Sequence, residues 1–407
     1  MTRLPLEGVR ILDLGWVAAG PQTTRYLADF GATVVRLESQ ARVDTVRISP
    51  PYRDGVPGVN RSGSFANWNT NKQSVSINMG TSKGIALARR IILEWAEVVT
   101  ENFTAGVMER WGLGYEPLSI ERPDLIMLSL STFGRKNRLS EQPGYGPLLT
   151  PFVGINHLTG WPDRAPAIPG PFGGYVDFII PRMAVLAVVA ALDHRARGGK
   201  GLHLDLAQYV ASLQLVSPLL MAWAANGQEV PRIGNRDPTA APHGVYPCRG
   251  PDQWVAIAVT TDAQWTALRR AMGSPAWCKS RRFQTLTGRK AHEAEIDACL
   301  ARWTAQKTAR ELARALQEAG VPAASVNSSH DLIDDPQLSS RGLYTWVEHP
   351  EIGWHRIETP EIHLSRTPFQ IRTPGPLLGE HSYAFLHEVM GLSAEEIAVL
   401  MEEEVVY

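Results

Sequence analysis

Asp177 is the residue whose surroundings in the sequence most suggest chemistry. It ends the segment Gly173-Gly174-Tyr175-Val176-Asp177 and precedes an apolar stretch at 182–195 that predicts a long helix. A carboxylate can act as a nucleophile that is regenerated, and the glycines would let backbone N–H groups approach an oxyanion. The positive end of a helix beginning near Arg182 would help to keep the carboxylate ionised. An aspartate just before a helix also commonly caps it, so the residues alone leave both roles open.

Other chemistries lack their sequence signatures. There is no GxxxxGK[ST] phosphate loop, no HExxH and no GxGxxG turn, which argues against nucleotide hydrolysis, zinc peptidases and dinucleotide binding. The three cysteines (Cys248, Cys278 and Cys299) form no CxxC pair. We therefore predict neither a disulfide framework nor a bound metal.

Composition indicates an ordinary globular chain. The 407 residues are 44% hydrophobic and 20% charged, with 40 Lys+Arg against 41 Asp+Glu for a net charge of -1. Such a balance offers no overall field for nucleic acid. No signal peptide is recognisable, and the longest apolar run, 183–192, is shorter than the roughly 18 residues that span a bilayer. We expect a soluble, cytoplasmic protein of two or three domains with no membrane partner.

The elements around Asp177 predict an α/β fold. Strands at 9–14 and 32–37 flank a helix at 22–30, a βαβ opening that implies a parallel sheet. Further helices are predicted at 82–96 and 182–195, and further strands at 98–100, 125–131 and 202–206. Beyond Asn226, strands within 232–262 and at 321–326 accompany helices, one of them opened by a capping box at Thr308 and Glu311 and another by Ser393 and Glu396. Long Gly/Pro loops at 134–147 and 160–174 have the character of functional loops.

Strings along nearly the whole chain resemble the family III CoA-transferases, the group of formyl-CoA and carnitine CoA-transferases. In the first third they are PLEGVRILDL at 5–14, AGP at 19–21, LADFGA at 27–32, NTNKQSV at 69–75, ENF at 101–103 and GVMERWGL at 106–113. Later they are PGY at 143–145, LTG at 158–160, GKG at 199–201, GN at 234–235, GVPA at 320–323, DPQ at 335–337 and GEH at 379–381. Because they occur in the family's order, chance is a poor explanation.

The resemblance implies an open Rossmann-like parallel-sheet domain with a smaller α+β domain inserted. It places the large CoA-binding domain at 1–225, the small domain at 226–334 and a C-terminal return to the large domain at 335–407. It also implies an interlocked dimer, or a heteromer with a related subunit.

In the implied chemistry, Asp177 attacks an acyl-CoA. CoA then passes to a free carboxylic acid through an anhydride and an aspartyl-CoA thioester. CoA thioester is the substrate, and no tightly bound cofactor is required. The loop at 160–174 would exclude water.

The resemblance assigns eight residues to CoA, and the ordinary alternatives for them are turn packing, solvated surface charge and loop packing. They are Val17, Ala19, Asn71, Lys72, Asn102, Phe103, Arg110 and Tyr145. Two positions depart from the family pattern. Ser39 stands where relatives often carry a basic residue, and Pro181 replaces a glycine four residues after Asp177.

Three further expectations concern the type of enzyme and the acceptor. The superfamily also contains 2-methylacyl-CoA racemases, but their His-Asp pair would fall at Tyr145-Gly146, which argues against a general base there. The strings WPDR at 161–164 and GPFGGY at 170–175 resemble the branch that uses succinyl-CoA and aromatic acids such as benzylsuccinate. Trp16, Trp161 and Phe172 would wall an apolar pocket or serve as core, and Arg164 or Arg182 would hold a second carboxylate.

Overall fold

A computed structural model describes residues 3–170 and 173–407. The chain divides into two compact units. Unit 1 comprises the residues up to Ile155 together with Ile168–Glu229 and Ser339–Tyr407, and unit 2 comprises Asn156–Ala167 and Val230–Leu338. The grouping of 156–167 with unit 2 was not predicted from the sequence.

Unit 1 is built on a six-stranded parallel sheet. Its strands are β1 (Arg10–Asp13), β2 (Thr33–Glu38), β3 (Lys72–Ser76), β4 (Val98–Glu101), β5 (Ile126–Ser129) and β6 (His203–Asp205). Their order in the sheet is β3-β2-β1-β4-β5-β6, with every pairing parallel. The order reverses between β1 and β4, and in open α/β sheets ligands bind outside the carboxyl ends of the strands at such a point.

Both faces of this sheet are buried because consecutive apolar residues along its strands point to opposite faces. Ile11 and Val34 face one core, whereas Leu12 and Val35 face the other. The first core is covered mainly by α1 (Ala19–Asp29) and α8 (Ile180–Ala196), and the second by α3 (Ser82–Glu94) and a C-terminal segment. The alternation follows from the period of two along a strand.

The remaining early helices are shorter. They are α2 (Gly63–Trp68), α4 (Val107–Arg110), α5 (Tyr115–Glu121), α6 (Gly146–Phe152), α7 (Ile155–Leu158), α9 (Gln208–Leu213) and α10 (Ser217–Asn226). Helix α1 begins three residues before its predicted start and α8 two residues before.

Unit 2 is a small α+β unit. Its antiparallel sheet contains β7 (His243–Pro247), β8 (Trp254–Ala258) and β9 (Ala323–Ser325), and its helices are α11 (Asp262–Ala271), α12 (Leu286–Ala291), α13 (Glu293–Thr304), α14 (Ala309–Glu318) and α15 (Ser329–Ile333). Helix α16 (Pro336–Ser340) follows at the end of the unit. The capping box predicted at Thr308 is wrong: its hydroxyl bonds Glu311 directly and caps no backbone group of α14.

The C-terminal segment belongs to unit 1. It contains the antiparallel hairpin β10 (Tyr344–His349) and β11 (Gly353–Glu358), then α17 (Ser382–Ala384), a π-helical turn at Phe385–Val389 and α18 (Ala394–Glu402). Phe385 and Leu386 pack into the second core of the sheet. The capping box predicted at Ser393 and Glu396 is formed. The predicted fold class, an open parallel α/β sheet with a smaller inserted α+β unit, is confirmed.

Candidate active site around Asp177

Asp177 lies in a 3-10 turn, Tyr175–Phe178, directly before α8. Its neighbours Val176 and Ile180 are fully buried in the core that α1 and α8 share, and they anchor the turn. The residue at the N-cap of α8 is Ile179, and no side chain caps that helix. The interpretation of Asp177 as a helix cap is therefore wrong.

The backbone of Gly146, the first residue of α6, lies against the Asp177 carboxylate, and its N–H lowers the pKa of that group. A Cβ at position 146 would overlap the carboxylate of Asp177 and lie 2.8 Å from the Cα of Gly174. Only glycine therefore permits this approach. The backbone carbonyl of Asp177 also accepts a long bond of 3.5 Å from Nε2 of Gln22 on α1.

Burial raises the pKa of Asp177 to about 6, and the Gly146 N–H opposes that rise. No cation is among the causes of the shift. At neutral pH the carboxylate is therefore mostly ionised yet poorly solvated. A poorly solvated anion is a better nucleophile than one paired with an arginine.

The loop after β1 adopts a strained shape that two side chains maintain. Val17 has φ +61°, a region that is costly for a β-branched residue. The amide of Asn102 bonds both the N–H and the carbonyl of Trp16, at 2.7 and 2.8 Å. The carboxylate of Asp44 accepts from the N–H of Val17 at 3.1 Å. The loop is thus fixed from the ends of two neighbouring strands.

A cleft of about 840 Å³ opens at this edge of the sheet. Residues that follow β1, β2, β3 and β4 line it, which places it at the carboxyl ends of the strands beside the reversal of strand order. Its lining includes Trp16, Arg42, Asn102, Phe103, Arg110 and Gly144. The Arg42 guanidinium lies 5.2 Å from the Trp16 ring centroid. The cleft offers two cations and aromatic surface to a ligand.

Several of the residues assigned to CoA gather here. Asn102, Phe103 and Arg110 line the cleft, whereas Ala19 is buried at the start of α1. Tyr145 is 65% exposed and connects Gly144, in the cleft lining, to Gly146, beside Asp177. One residue, Tyr145, thus separates the cleft lining from the glycine that lies against the carboxylate.

Asn71 and Lys72 have internal partners instead. Nζ of Lys72 is fully buried and bonds Oδ2 of Asp13 at 2.9 Å. The side chain of Asn71 bonds Asp29 and the backbone of Gln370. Their contact with CoA stays a prediction, and the geometry gives them a structural role.

Lys72 belongs to a buried ionic network, defined here as Asp13, Arg36, Glu38, Asp44, Arg47 and Lys72. Burial alone would raise the pKa of Asp13, but Lys72 and Arg36 hold it below its ordinary value. Burial would likewise raise the pKa of Glu38, and Arg47, bonded through both oxygens at 2.7 Å, holds it low. Burial lowers the pKa of Lys72 to about 8, against the attraction of Asp13. The sequence did not predict this network. Through Asp44 it holds the loop after β1, which borders the cleft.

One motif was overlooked in the sequence. The string GTSKG at 80–84 fits the GxSxG spacing of serine hydrolases. In the structure, the hydroxyl of Thr81 accepts from the N–H of Gly84 at 3.0 Å and caps α3. Ser82 is exposed at the first turn of that helix, and among the described residues no hydrogen bond joins it to a histidine. The spacing here belongs to a helix cap.

The side chains expected to form the acceptor pocket are distributed over both units. Trp16 lines the cleft in unit 1, whereas Trp161 lies in unit 2 with Arg164 near its ring. Arg182 pairs with Glu361 at 3.0 Å. Phe172 lies outside the described residues.

The comparison with known families decides the identity. The model of CoA-transferase family III matches residues 6–382. The chain belongs to this family. Its activity is therefore the transfer of CoA. The predicted class of enzyme, a CoA-transferase, is confirmed.

Two relatives and one solved structure are similar to this chain over nearly its whole length. Succinyl-CoA--D-citramalate CoA-transferase of Chloroflexus aurantiacus is 33% identical over 405 residues, covering 99% of this chain and 98% of the relative. The alpha subunit of succinyl-CoA--L-malate CoA-transferase of Chloroflexus aurantiacus is 30% identical over 412 residues, with coverage of 99% and 93%. The crystal structure of a CAIB/BAIF family protein from Brucella suis superimposes with a TM-score of 0.86 at 31% identity, covering 95% of this chain and 99% of that one.

The described residues contain neither a membrane-spanning helix nor a cluster of metal ligands. In residues 3–170 and 173–407, no helix combines the length and apolarity needed to cross a membrane. Within the same ranges, no group of three or more His, Cys, Asp or Glu side chains is arranged to hold a metal ion.

Proposed function

We propose that this CoA-transferase uses Asp177 as its nucleophile, with succinyl-CoA as donor and a short dicarboxylic acid as acceptor. The observation that carries the proposal is the carboxylate itself, which is half-buried and lies against the Gly146 N–H, with no cation among the causes of its raised pKa. Its neighbour Gly146 follows Gly144 of the cleft lining by two positions, and the arginines and aromatic rings of that cleft support CoA as the ligand.

The proposed reaction consists of two mirror-image halves. The Asp177 carboxylate attacks the thioester carbonyl of the donor and expels CoA thiolate, leaving a mixed anhydride. The thiolate then attacks the aspartyl carbonyl, which releases succinate and forms aspartyl-CoA. The acceptor carboxylate attacks that thioester, and the returning thiolate attacks the acceptor carbonyl of the second anhydride. The exchange of a thioester for a carboxylate is nearly neutral in free energy, so it needs no nucleotide.

The Gly146 N–H has two uses in this scheme. It bonds the carboxylate before attack, and it is positioned to bond the oxyanion that develops on the same group when thiolate attacks the aspartyl carbonyl. A backbone donor held at a helix start requires no reorganisation during the reaction.

The cleft is the proposed seat of the CoA nucleotide. Arg42 and Arg110 offer charge to its phosphates, and the ring of Trp16 offers a face for stacking. Asn102 and Phe103 form part of its wall, and Asn102 also holds the strained loop after β1 that contains Val17 and leads to Ala19.

The names of the relatives guide the choice of acceptor. Citramalate and malate are short dicarboxylic acids, and succinyl-CoA is the donor in both names. An aryl-substituted acid such as benzylsuccinate is the second candidate. It is favoured by Trp16 in the cleft lining.

We further propose that the chain works as an interlocked dimer or with a related subunit. Helix α10 has no buried residue, and Leu220, Met221 and Trp223 on it are 44%, 62% and 61% exposed. Apolar side chains on one helix that are this exposed are typical of a surface that another chain covers. One relative is named as an alpha subunit, so both a second copy and a paralogous chain fit.

Oxygen labelling tests the chemistry directly. With succinyl-CoA and an acceptor carrying ¹⁸O in its carboxylates, one ¹⁸O should enter the Asp177 peptide in the first turnover. It should leave in succinate over the following turnovers, because either oxygen of Asp177 can bridge the next anhydride, and the bridging oxygen stays with the acyl group that was attacked to form that anhydride. Label that bypasses Asp177 would contradict the nucleophile assignment. The same assay run with malate, citramalate, benzylsuccinate, formate and oxalate ranks the acceptors by kcat/KM.

A further inference from the structure

Thr150 is a buried residue of α6 with no exposed surface. Its Oγ1 lies 2.7 Å from the carbonyl oxygen of Gly173 and 2.9 Å from that of Gly146. The second carbonyl is the ordinary partner of a helical threonine, one turn back along the helix. The first belongs to the segment that carries Asp177.

These two carbonyls belong to the two pieces of backbone that meet at the nucleophile. Gly146 supplies the N–H for the carboxylate, and the turn from Tyr175 to Phe178 begins two residues after Gly173. The hydroxyl has one proton, and the shorter distance favours its donation to Gly173. The bond therefore ties the segment with the carboxylate to the helix with the donor.

We propose that Thr150 is a positioning residue that keeps the Asp177 carboxylate on the Gly146 N–H. The inference rests on the proposed role of Asp177 as nucleophile and adds a residue that touches neither substrate nor CoA. Loss of the hydroxyl leaves the carbonyl of Gly173 unpaired in the interior, so the segment is expected to shift. A misplacement of about 1 Å at a reacting group can lower a rate on the order of a hundredfold.

Unit 2 offers a matched control. Thr304 in α13 is also without exposed surface, and its Oγ1 bonds the carbonyl of Pro247, at the end of β7, at 2.7 Å and the carbonyl one turn back, that of Leu300, at 3.0 Å. The geometry repeats that of Thr150 without Asp177. Thr304→Val therefore measures what the loss of such a hydroxyl does to the fold alone.

The experiment compares Thr150→Val, Thr150→Ser and Thr304→Val for transfer from succinyl-CoA. We expect Thr150→Val to lower kcat about 10- to 100-fold with the KM for succinyl-CoA within about twofold. Thr150→Ser should recover at least half of the activity, and Thr304→Val should match the wild type. The acid limb of kcat/KM should also move to higher pH in Thr150→Val only, because the lost donor had lowered the pKa of Asp177.

Equal kcat and an unmoved acid limb in Thr150→Val would overturn the proposal, even if its Tm falls. So would a loss of activity in Thr304→Val as large as that in Thr150→Val. If Thr150→Val is not recovered folded, Thr150→Ala, which also lacks the hydroxyl and is smaller, is measured in the same way. Asp177→Ala assayed in parallel tests the nucleophile separately. Transfer by that variant would reject the proposed function, whereas its inactivity with a fully active Thr150→Val would reject only the role of Thr150.

Discussion

Two aspartates of unit 1, the fully buried Asp13 and the half-buried Asp177, differ in their partners and in the direction of their pKa shifts. Asp13, at the end of β1, lies within 3.7 Å of the cations of Lys72 and Arg36 and also bonds Thr24. Asp177, before α8, has one backbone N–H and no cation acting on it. The pKa of the first is held below its ordinary value, and that of the second rises to about 6.

The difference separates a carboxylate whose charge is compensated from one whose charge is not. The charge of Asp13 is paired inside the protein, so breaking the pair would leave a buried cation without its partner. Burial removes water from Asp177, and no cation is among the causes of its raised pKa. A carboxylate with a pKa perturbed in this way is a candidate for a functional site, and the proposed role of Asp177 as nucleophile rests on it.

The largest expected effect is on catalysis. Asp177→Ala should fold and lose transfer by at least about 10³-fold, because its carboxylate forms the acyl intermediates of the proposed reaction. Hydroxylamine added with succinyl-CoA should modify Asp177 in the wild type. Asp193→Asn, at an exposed aspartate of α8, the helix that follows Asp177, serves as control and should keep its activity. Transfer by Asp177→Ala near the wild-type rate would break the comparison.

The next effect is on stability and concerns the other aspartate. Asp13→Asn should lower the free energy of unfolding by about 3–5 kcal/mol, since it leaves Lys72 buried without its counter-charge. Urea denaturation followed by circular dichroism measures it. Adding Lys72→Met to Asp13→Asn should recover part of the loss in a double-mutant cycle. A loss below about 1 kcal/mol in the single variant would show that the network contributes little.

Removing the charge of Asp177 should change the free energy of unfolding in the opposite direction. Its folded pKa is above the ordinary value, so its contribution to stability is complete below pH 3.8 and is lost as the pH rises through about 6. Asp177→Asn, which removes the charge, should therefore raise the free energy of unfolding at pH 8 by about 1–3 kcal/mol. The gain should vanish near pH 4. A destabilised Asn variant at pH 8 would mean that the Gly146 N–H stabilises the carboxylate by more than burial destabilises it.

The smallest effect is the position of the acid limb of activity. Because the reactive form is the carboxylate, kcat/KM should fall about tenfold per pH unit below pH 6. Asp13 cannot cause this limb, because its pKa is below the ordinary value for aspartate. Profiles measured with two acceptors of different pKa distinguish the enzyme's limb from the substrate's. A flat profile down to pH 4 would remove Asp177 from this role.

The sequence predicted the scaffold better than the site. Strands such as Thr33–Glu38 alternate between two cores, and the residues along the chain carry that pattern themselves. The ionic network pairs Asp13 with a lysine 59 residues away, and no local pattern encodes such a pairing. Asp177 was identified through the family's strings, but its donor was not, because Gly146 lies on another helix and acts through its backbone.

The helix boundaries illustrate the same limit. Pro181 was expected to alter the entry into α8, and the helix accommodates it at its second position, where a missing N–H removes no intrahelical bond. Thr308 and Glu311 have the spacing of a capping box, yet the two side chains bond each other. Spacing thus indicated where a helix begins more reliably than which atoms stabilise its start.

The absence of a side chain at Gly146 restricts how this site can change. A Cβ at position 146 would overlap the Asp177 carboxylate and lie 2.8 Å from the Cα of Gly174, so the carboxylate or the backbone around it would have to shift to admit any other residue. The neighbouring side chain of Tyr145 is 65% exposed and is not confined in this way. Position 146 can therefore change only together with its surroundings, whereas position 145 can change alone.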